Sequence, residues 1–169
     1  EKIFLSPPLH YACQSGHLNV VQWLATQDGV DLNFKDDYGS TPLHLACTSG
    51  YLDVVQWLAT QDGVELNGNN MFGYTPLHKA CEESRMDVIQ WLATQDGVDL
   101  NATDIDGCTP FYHTCEEGHL DVVQWLGAQD GVDVNLKDNV AKSPLHYACD
   151  KGHLDVVKWL ATQDGEIGR

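Results

Sequence analysis

The hydrophobic positions between Leu52 and Gln61 are spaced as on a helix that is covered over most of its surface. At about 100° per residue, the apolar side chains cover roughly two-thirds of the circumference; they are Leu52, Val54, Val55, Trp57 and Leu58. Asp53, Gln56 and Thr60 share the remaining polar strip. The pattern predicts a helix from Leu52 to about Gln61 that lies between neighbouring elements, with Trp57 and Leu58 buried.

A shorter helix is predicted just before this one. Thr41 suits the capping position and Pro42 the first helical position. Apolar and small residues then face inward, and Gly50 can end the helix in the left-handed conformation that other residues avoid. A turn that contains Gly39 precedes the cap. The unit is therefore a turn followed by two antiparallel helices.

The same pattern returns every 34 residues. The tryptophans keep this interval, at Trp23, Trp57, Trp91, Trp125 and Trp159. A period of this size is typical of a solenoid, in which each unit buries its faces against its neighbours. We predict one all-α domain over residues 1–169, with repeats at about 2–35, 36–69, 70–103, 104–137 and 138–169.

The repeated motif resembles the ankyrin repeat. The letters "TPLHLA" at 41–46 and "TPLHKA" at 75–80 match the first-helix signature of that family, and "SPLHYA" at 143–148 is a close variant. "GHLDVV" at 118–123 and 152–157 opens the second helix, and "DLN" or "DVN" closes the unit. The resemblance implies an ankyrin-repeat solenoid of five stacked helix-turn-helix repeats with finger turns, acting as a protein-interaction module.

Four positions depart from the motif. Pro7 occupies the capping position of the first repeat and removes a good cap. Ser84 stands where a glycine ends the helix, and Tyr112 replaces the motif histidine. Ala141 replaces the turn glycine of the fifth repeat. We expect the turn at Ala141 to be distorted, because alanine avoids positive φ.

The cysteines and the charge indicate a compartment and exclude some partners. Five of the six cysteines are equivalent across repeats, and helices stacked roughly 8–10 Å apart cannot bring equivalent residues to disulfide distance. Free thiols indicate an intracellular, cytoplasmic setting. Because the chain does not begin with Met, we interpret it as a segment of a longer protein. Its net charge of −16 disfavours nucleic acid. No apolar run could span a bilayer, and we expect a monomer without membrane insertion.

Histidine and cysteine recur as "HxxC", a spacing that places both on one helix face. The histidine is nevertheless a structural part of the motif, and the cysteine takes the place of a small core residue. We therefore expect no metal, cofactor or catalytic activity, since no catalytic motif is present either. Cys108 is expected to be exposed, in a turn where Asp104 and Asp106 disfavour a reactive thiolate.

Positions that vary between repeats lie at the finger tips and on the exposed side of the first helices. The resemblance implies that these form the concave binding surface. Apolar residues in turns are candidate anchors, and pairs of glutamates in the third and fourth repeats would form an acidic band that attracts a basic partner. We predict a protein partner with a basic or apolar epitope. The predicted binding residues are Asp37, Tyr38, Met71, Phe72, Tyr74, Glu82, Glu83, Ile105, Asp106, Glu116, Glu117, Lys142 and Tyr147.

Three alternatives stay open. The chain could be a structural spacer in a longer array; Ile3, Phe4 and Leu5 suggest contact with a preceding element. An enzyme is a second alternative, which stoichiometric zinc or iron in the purified protein would favour. The third comes from the resemblance alone, which implies asparaginyl hydroxylation at the closing asparagines Asn33, Asn67, Asn101 and Asn135.

Overall fold

Residues 7–164 of the computed structural model form ten α-helices in five helix-turn-helix pairs, with no strand in that range. The helices are α1 (Pro8–Gln14), α2 (Leu18–Ala25), α3 (Pro42–Ser49), α4 (Leu52–Ala59), α5 (Pro76–Glu82), α6 (Met86–Ala93), α7 (Pro110–Glu117), α8 (Leu120–Gly127), α9 (Pro144–Lys151) and α10 (Leu154–Asp164). The predicted all-α repeat is confirmed. Ile3, Phe4 and Leu5, the proposed contact with a preceding element, lie outside the described residues.

Two compact units divide at Val98 and Asp99. In the first unit α1, α3 and α5 pack in chain order, while α2, α4 and α6 form a second row. In the second unit α7 packs on α9, and α8 packs on α10. Each unit therefore buries helix faces between consecutive repeats, as a solenoid does. The assignment of residues 1–169 to one domain stays a prediction.

The first helix of each repeat begins as the sequence predicts. Thr41 has an extended backbone, and its N–H donates to Nδ1 of His44 over 3.2 Å while Pro42 takes the first helical position. The hydroxyl of Thr41 also lies 2.8 Å from that nitrogen. Pro7 offers neither group, so Nδ1 of His10 is buried without a hydrogen-bond partner. The loss of the cap in the first repeat is confirmed.

The motif histidine joins each repeat to the next in the first unit. Nε2 of His10 lies 3.1 Å from the carbonyl of Ser40, and Nε2 of His44 lies 2.8 Å from the carbonyl of Tyr74. Because a carbonyl only accepts, Nε2 carries the proton in both rings. Burial lowers the pKa of His44 to about 4 against the raising effect of the Tyr74 carbonyl. His44 is therefore a structural link in its neutral form.

Left-handed backbone ends the first helices and shapes the turns. Gly50 has φ 84°, and Ser84 takes the same conformation with φ 54° in the third repeat. Ala141 has φ 65°, and its N–H donates to Asp138 over 3.0 Å, as that of Gly39 does to Asp36 over 2.9 Å. The expected distortion at Ala141 is therefore wrong. The turn keeps its geometry, although the Cβ of Ala141 makes positive φ sterically unfavourable.

The second helices differ from the prediction at two points. Helix α4 ends at Ala59 rather than Gln61, because the amide of Gln61 bonds the Leu58 carbonyl in a tighter turn. Leu58 is 1% exposed, as predicted, but Trp57 is partly exposed and Trp23 is 62% exposed. The predicted burial of the tryptophans is wrong. On the helical wheel Trp57 borders the polar strip, beyond the surface that neighbouring helices cover.

Titration of His44 should make stability depend on pH. The unfolded chain binds the proton near pH 6.5, whereas the folded chain binds it only near pH 4. The contribution is fully present above pH 6.5 and is lost as the pH falls to about 4, by up to roughly 3 kcal/mol. Between pH 6.5 and pH 4, the free energy of unfolding measured in urea should fall more for wild type than for His44→Gln. The glutamine does not titrate, and its side chain can still cap the helix. Parallel pH profiles for the two proteins would contradict the assignment.

Relief of the strained turn should stabilise the fifth repeat. Ala141→Gly removes the side chain that disfavours φ 65°, so the free energy of unfolding should rise by about 1 kcal/mol. The matched control, Ala161→Gly in the regular backbone of α10, should lose about 0.5–1 kcal/mol. Urea midpoints of the two variants measure both effects. A loss of equal size in both would mean that Ala141 is unstrained.

Candidate functional site

Each finger turn is organised by one side-chain oxygen. Oδ1 of Asp36 accepts hydrogen bonds from the amides of Tyr38 and Ser40, over 2.9 and 2.8 Å. Asn70, Asp104 and Asp138 repeat this arrangement in the following fingers. Because the backbone is fixed internally, the side chains at the tip are left to project. Tyr38 is accordingly 64% exposed.

Consecutive fingers in the first unit are joined through their backbones. The amide of Met71 donates to the Tyr38 carbonyl over 2.9 Å, and Nζ of Lys35 donates to the Asn69 carbonyl over 2.7 Å. A Cβ at Gly39 would lie 2.8 Å from the Met71 nitrogen, so only glycine permits this approach. The second and third fingers therefore hold one relative register.

A groove of about 470 Å³ runs over the second and third repeats within the first unit. We call it the finger groove; its lining residues are Asp36, Tyr38, Ser40, Leu45, Thr48, Asn70, Phe72, Tyr74, Lys79 and Glu82. Of the predicted binding residues in this unit, Tyr38, Phe72, Tyr74 and Glu82 line it. Asp37, Met71 and Glu83 are exposed outside its lining.

The aromatic side chains of the groove differ in packing and exposure. Tyr74 stacks on His78 with ring centroids 5.6 Å apart, and Nζ of Lys79 lies 5.5 Å from the Tyr74 centroid. Phe72 lies 6.3 Å from Tyr74 and keeps 44% of its surface exposed. Tyr74 is thus packed into the wall of the groove, whereas Phe72 and Tyr38 present exposed apolar surface.

Leu45 is a groove residue that the sequence-based prediction omits. It occupies the motif position that Lys79 holds in the third repeat and Tyr147 in the fifth. Variation at this position between repeats is the signal that would have identified it. Thr48 also lines the groove, but its hydroxyl donates to the His44 carbonyl over 2.8 Å.

The predicted acidic band is partly neutralised. In the first unit Glu82 pairs with Lys79, and Glu83 lies 4.0 Å from the Arg85 guanidinium. In the second unit the Glu116 carboxylate lies 3.4 Å from Nζ of Lys151. These neighbouring bases reduce the attraction for a basic partner below what four glutamates suggest. Glu117 is exposed on α7.

Cys108 in the second unit is 6% exposed, so its predicted exposure is wrong. Asp104 holds this turn against helix α7. Its Oδ1 accepts from the Cys108 amide, and its Oδ2 lies 2.8 Å from Nε2 of His113. Burial, and then the charge of Asp104, raise the pKa of the Cys108 thiol to about 12. Burial alone would raise the pKa of Asp104, but the hydrogen bond to His113 and those from backbone amides hold it below its usual value.

Tyr112 and Tyr147 share one carboxylate in the second unit. Their hydroxyls donate to Oδ2 of Asp138 over 3.3 and 3.2 Å, and their rings lie 4.4 Å apart. Tyr112 therefore bonds a side chain of the next finger, whereas the motif histidine in other repeats bonds a backbone carbonyl of the next finger. Nζ of Lys142 lies 4.8 Å over the Tyr147 ring.

Two predicted tip residues of the second unit, Ile105 and Asp106, are exposed, with Ile105 at 62%. Their backbone carbonyls hold the next finger: Asp106 accepts from the Asn139 amide over 2.9 Å, and Ile105 accepts from the Asn139 carboxamide over 3.0 Å. Val140, which the prediction omits, is 70% exposed. The tips of this unit thus also carry apolar side chains on a fixed backbone.

The closing asparagines bridge consecutive repeats. Nδ2 of Asn33 donates to the Gly63 carbonyl over 2.6 Å, and its Oδ1 accepts from the Glu65 amide over 3.1 Å. Asn67 and Asn101 donate in the same way over 2.6 Å. The Asn135 side chain is exposed, and the positions that match the partners of Asn33 by the 34-residue period, 165 and 167, lie outside the described residues. Three of the four predicted hydroxylation positions are therefore engaged in junctions.

Within residues 7–164, no group of three or more histidine, cysteine or acidic side chains is placed to hold a metal ion. In the same range, no helix combines the length and apolar character needed to cross a membrane.

Burial raises the pKa of Cys13 to about 12 and also raises the pKa of Cys47 and Cys115. These thiols are therefore protonated and weakly nucleophilic at neutral pH.

Comparison with known proteins identifies one family. A family model for ankyrin repeats, built of three copies of the repeat, matches residues 5–70, 62–138 and 96–169. The three overlapping matches together extend over nearly all of the chain. No curated protein matches it.

Proposed function

The chain belongs to the ankyrin-repeat family, and from that premise we propose that it binds a protein partner, without catalysis, through the finger groove. Ankyrin repeats are generally protein–protein interaction modules. The observation that carries the proposal is the exposed apolar surface of Phe72 and Tyr38 at the edge of a formed groove. Soluble domains seldom leave such aromatic surface grouped without a use.

The chemistry of the groove favours a segment with one apolar side chain beside a basic one. Phe72, Tyr38 and Leu45 offer apolar contact, which is typical of interface anchors. The exposed Asp37 lies at the same finger tip as Tyr38, and the whole chain carries a charge of −16. The negative electrostatic field of the chain speeds the encounter with a basic partner, even though Glu82 is paired with Lys79.

The fingers support binding because they are already ordered. The bond from Met71 to Tyr38 and the internal turn at Asp36 fix the backbone before any ligand arrives. A preorganised site loses less conformational entropy on association than a flexible loop does. In the second unit we propose Ile105, Asp106, Lys142, Tyr147 and the glutamates of α7 as further contact residues.

A non-catalytic role fits the engaged state of the reactive side chains. His44 links two repeats, and His113 is held by Asp104 in a finger turn. The buried thiols have raised pKa values. Each of these groups has a structural partner or a protonated state that makes it a poor base or nucleophile.

Asparaginyl hydroxylation is a second candidate, and Asn135 is the position that we propose for it first. The Asn135 side chain is exposed, whereas that of Asn33 is only partly exposed and is held at a junction. A modifying enzyme therefore reaches Asn135 more readily than Asn33. Peptide mass mapping of protein from its native cell should find an added oxygen on the Asn135 peptide before the others. An unmodified Asn135 beside a modified Asn33 would contradict this order.

Removal of the Phe72 ring should weaken binding in the finger groove. Peptides selected on the full chain from a displayed linear library should combine an apolar residue with lysine or arginine. Phe72→Ala should raise their Kd by about tenfold or more, since aromatic anchors carry much of the binding free energy. Fluorescence anisotropy measures the change, and an unchanged urea midpoint confirms that the variant is folded.

The matched control is Trp23→Ala, which removes an exposed aromatic side chain of α2 that does not line the groove. Its Kd should stay within about twofold of wild type, because Trp23 is not among the proposed contact residues. If no peptide is enriched on the chain, the spacer hypothesis is favoured. If Phe72→Ala and Trp23→Ala weaken binding equally, the finger groove is not the site.

A further inference from the structure

One closing asparagine is followed by a glycine. The residues after the closing asparagines are, in chain order, phenylalanine, glycine, alanine and leucine. Asn67 therefore precedes Gly68, and the pair Asn-Gly occurs nowhere else in the chain. An asparagine side chain is open to attack by the backbone nitrogen that follows it, and the Cβ of the next residue hinders that attack. Glycine has no Cβ, so Asn67 is the asparagine least shielded from its own backbone.

The turn at Gly68 leaves the attacking nitrogen weakly held. The Gly68 amide lies 3.5 Å from the Glu65 carbonyl, which is longer than an ordinary hydrogen bond. The Asn67 side chain is exposed, so water reaches it. Solvent can therefore take up the amide proton and also supply the water that a later hydrolysis needs.

The equivalent turn of the second unit has similar geometry but carries an alanine. The Ala102 amide also lies 3.5 Å from a carbonyl, that of Asp99. Nδ2 of Asn101 donates across its repeat junction over 2.6 Å, the same distance as for Asn67. Asn101 is partly exposed. The main difference between the two attacking residues is thus one Cβ, which makes Asn101 a natural control.

The backbone does not require a glycine after Asn67. Gly68 does not adopt positive φ, unlike Gly63 with φ 80°. A Cβ at Gly68 would lie 3.2 Å from Oε2 and 3.4 Å from Cβ of Glu65, whose exposed side chain can adjust. Alanine therefore fits at this position, so the reactivity of Asn67 can be changed while the turn is kept.

The Asn67 carboxamide joins the second and third repeats. Its Nδ2 donates over 2.6 Å to the carbonyl of Gly97, in the turn that follows α6. A carboxylate in its place has no proton to donate at neutral pH. It would face the Gly97 carbonyl as a second acceptor. Conversion of this amide to an acid therefore removes the bond and replaces it with repulsion.

We propose that Asn67 is a site of spontaneous deamidation whose products loosen the junction of the second and third repeats. The Gly68 nitrogen loses its proton and bonds to Cγ of Asn67. The Cγ–Nδ2 bond breaks, and Nδ2 takes up a proton and leaves as ammonia. Water then opens the resulting succinimide ring at either of its two carbonyls. The products are aspartate and isoaspartate, each adding one negative charge to a chain that carries −16.

The modification acts in one direction and needs no enzyme. Water is in excess and the released ammonia diffuses away, so modified chains accumulate with time. Isoaspartate also lengthens the main chain by one methylene, which displaces the turn further. The finger groove lies over the same two repeats, but deamidation requires no ligand there.

Incubation of the full chain in mildly alkaline buffer, with reductant because Cys149 is exposed, tests the reaction. Tandem mass spectrometry after digestion in mildly acidic buffer locates the converted residues. Aspartate and isoaspartate should accumulate at position 67 well before position 101. Gly68→Ala should slow the conversion of Asn67 to the rate of Asn101. The reciprocal change, Ala102→Gly, should accelerate Asn101 toward the rate of Asn67.

Urea unfolding tests the effect on the junction. Asn67→Asp reproduces one product and should lower the urea midpoint, as should the deamidated fraction separated by anion exchange. Asn69→Asp adds the same charge on an exposed neighbouring side chain and should leave the midpoint nearly unchanged. Three outcomes would overturn the proposal: Asn67 lasts as long as Asn101, Gly68→Ala converts as fast as wild type, or Asn67→Asp and Asn69→Asp unfold at the same urea concentration.

Discussion

The junction between consecutive repeats is the interaction on which the rest of this structure depends. A single helix pair cannot cover Val54 or Leu58, so each repeat completes the core of its neighbour. Polar groups fix the alignment of the apolar faces, since a histidine bonds the next finger and an asparagine bonds the next turn. Because each of these hydrogen bonds forms at only one alignment of the two repeats, the links define a single register. The repeated letters of the sequence encode this junction.

Much of the fold could be predicted because its determinants are local. The cap at Thr41 and the glycine at Gly50 depend on neighbours within a few residues. The burial of Trp57 and Cys108 could not be predicted, because it depends on contacts made through space. Periodicity gives the direction of a side chain but not how far a neighbouring helix extends over it. Likewise, Cys108 is covered in a turn that a helical histidine, His113, helps to hold.

The candidate site was predictable in position more than in charge. Exposed apolar tips such as Phe72 follow from residues that vary where the scaffold repeats. The pairing of Lys79 with Glu82 lies within one helical turn and was visible in the sequence. The approach of Lys151 to Glu116 joins residues far apart in the chain, so only the folded structure reveals it. Within one repeat the hydrogen-bonded backbone stabilises the fold, and we propose that the variable side chains at the tips provide recognition.

We propose that recognition belongs to the finger groove, whereas the closing asparagines and the glycine turns that they contact hold consecutive repeats together. Amide chemical-shift mapping of the labelled full chain, titrated with a selected peptide, tests it most directly. We expect the largest shifts at Tyr38, Phe72 and Lys79, with little change at Gly63 and Gly97. Shifts concentrated in those glycine turns, with the fingers unchanged, would contradict it.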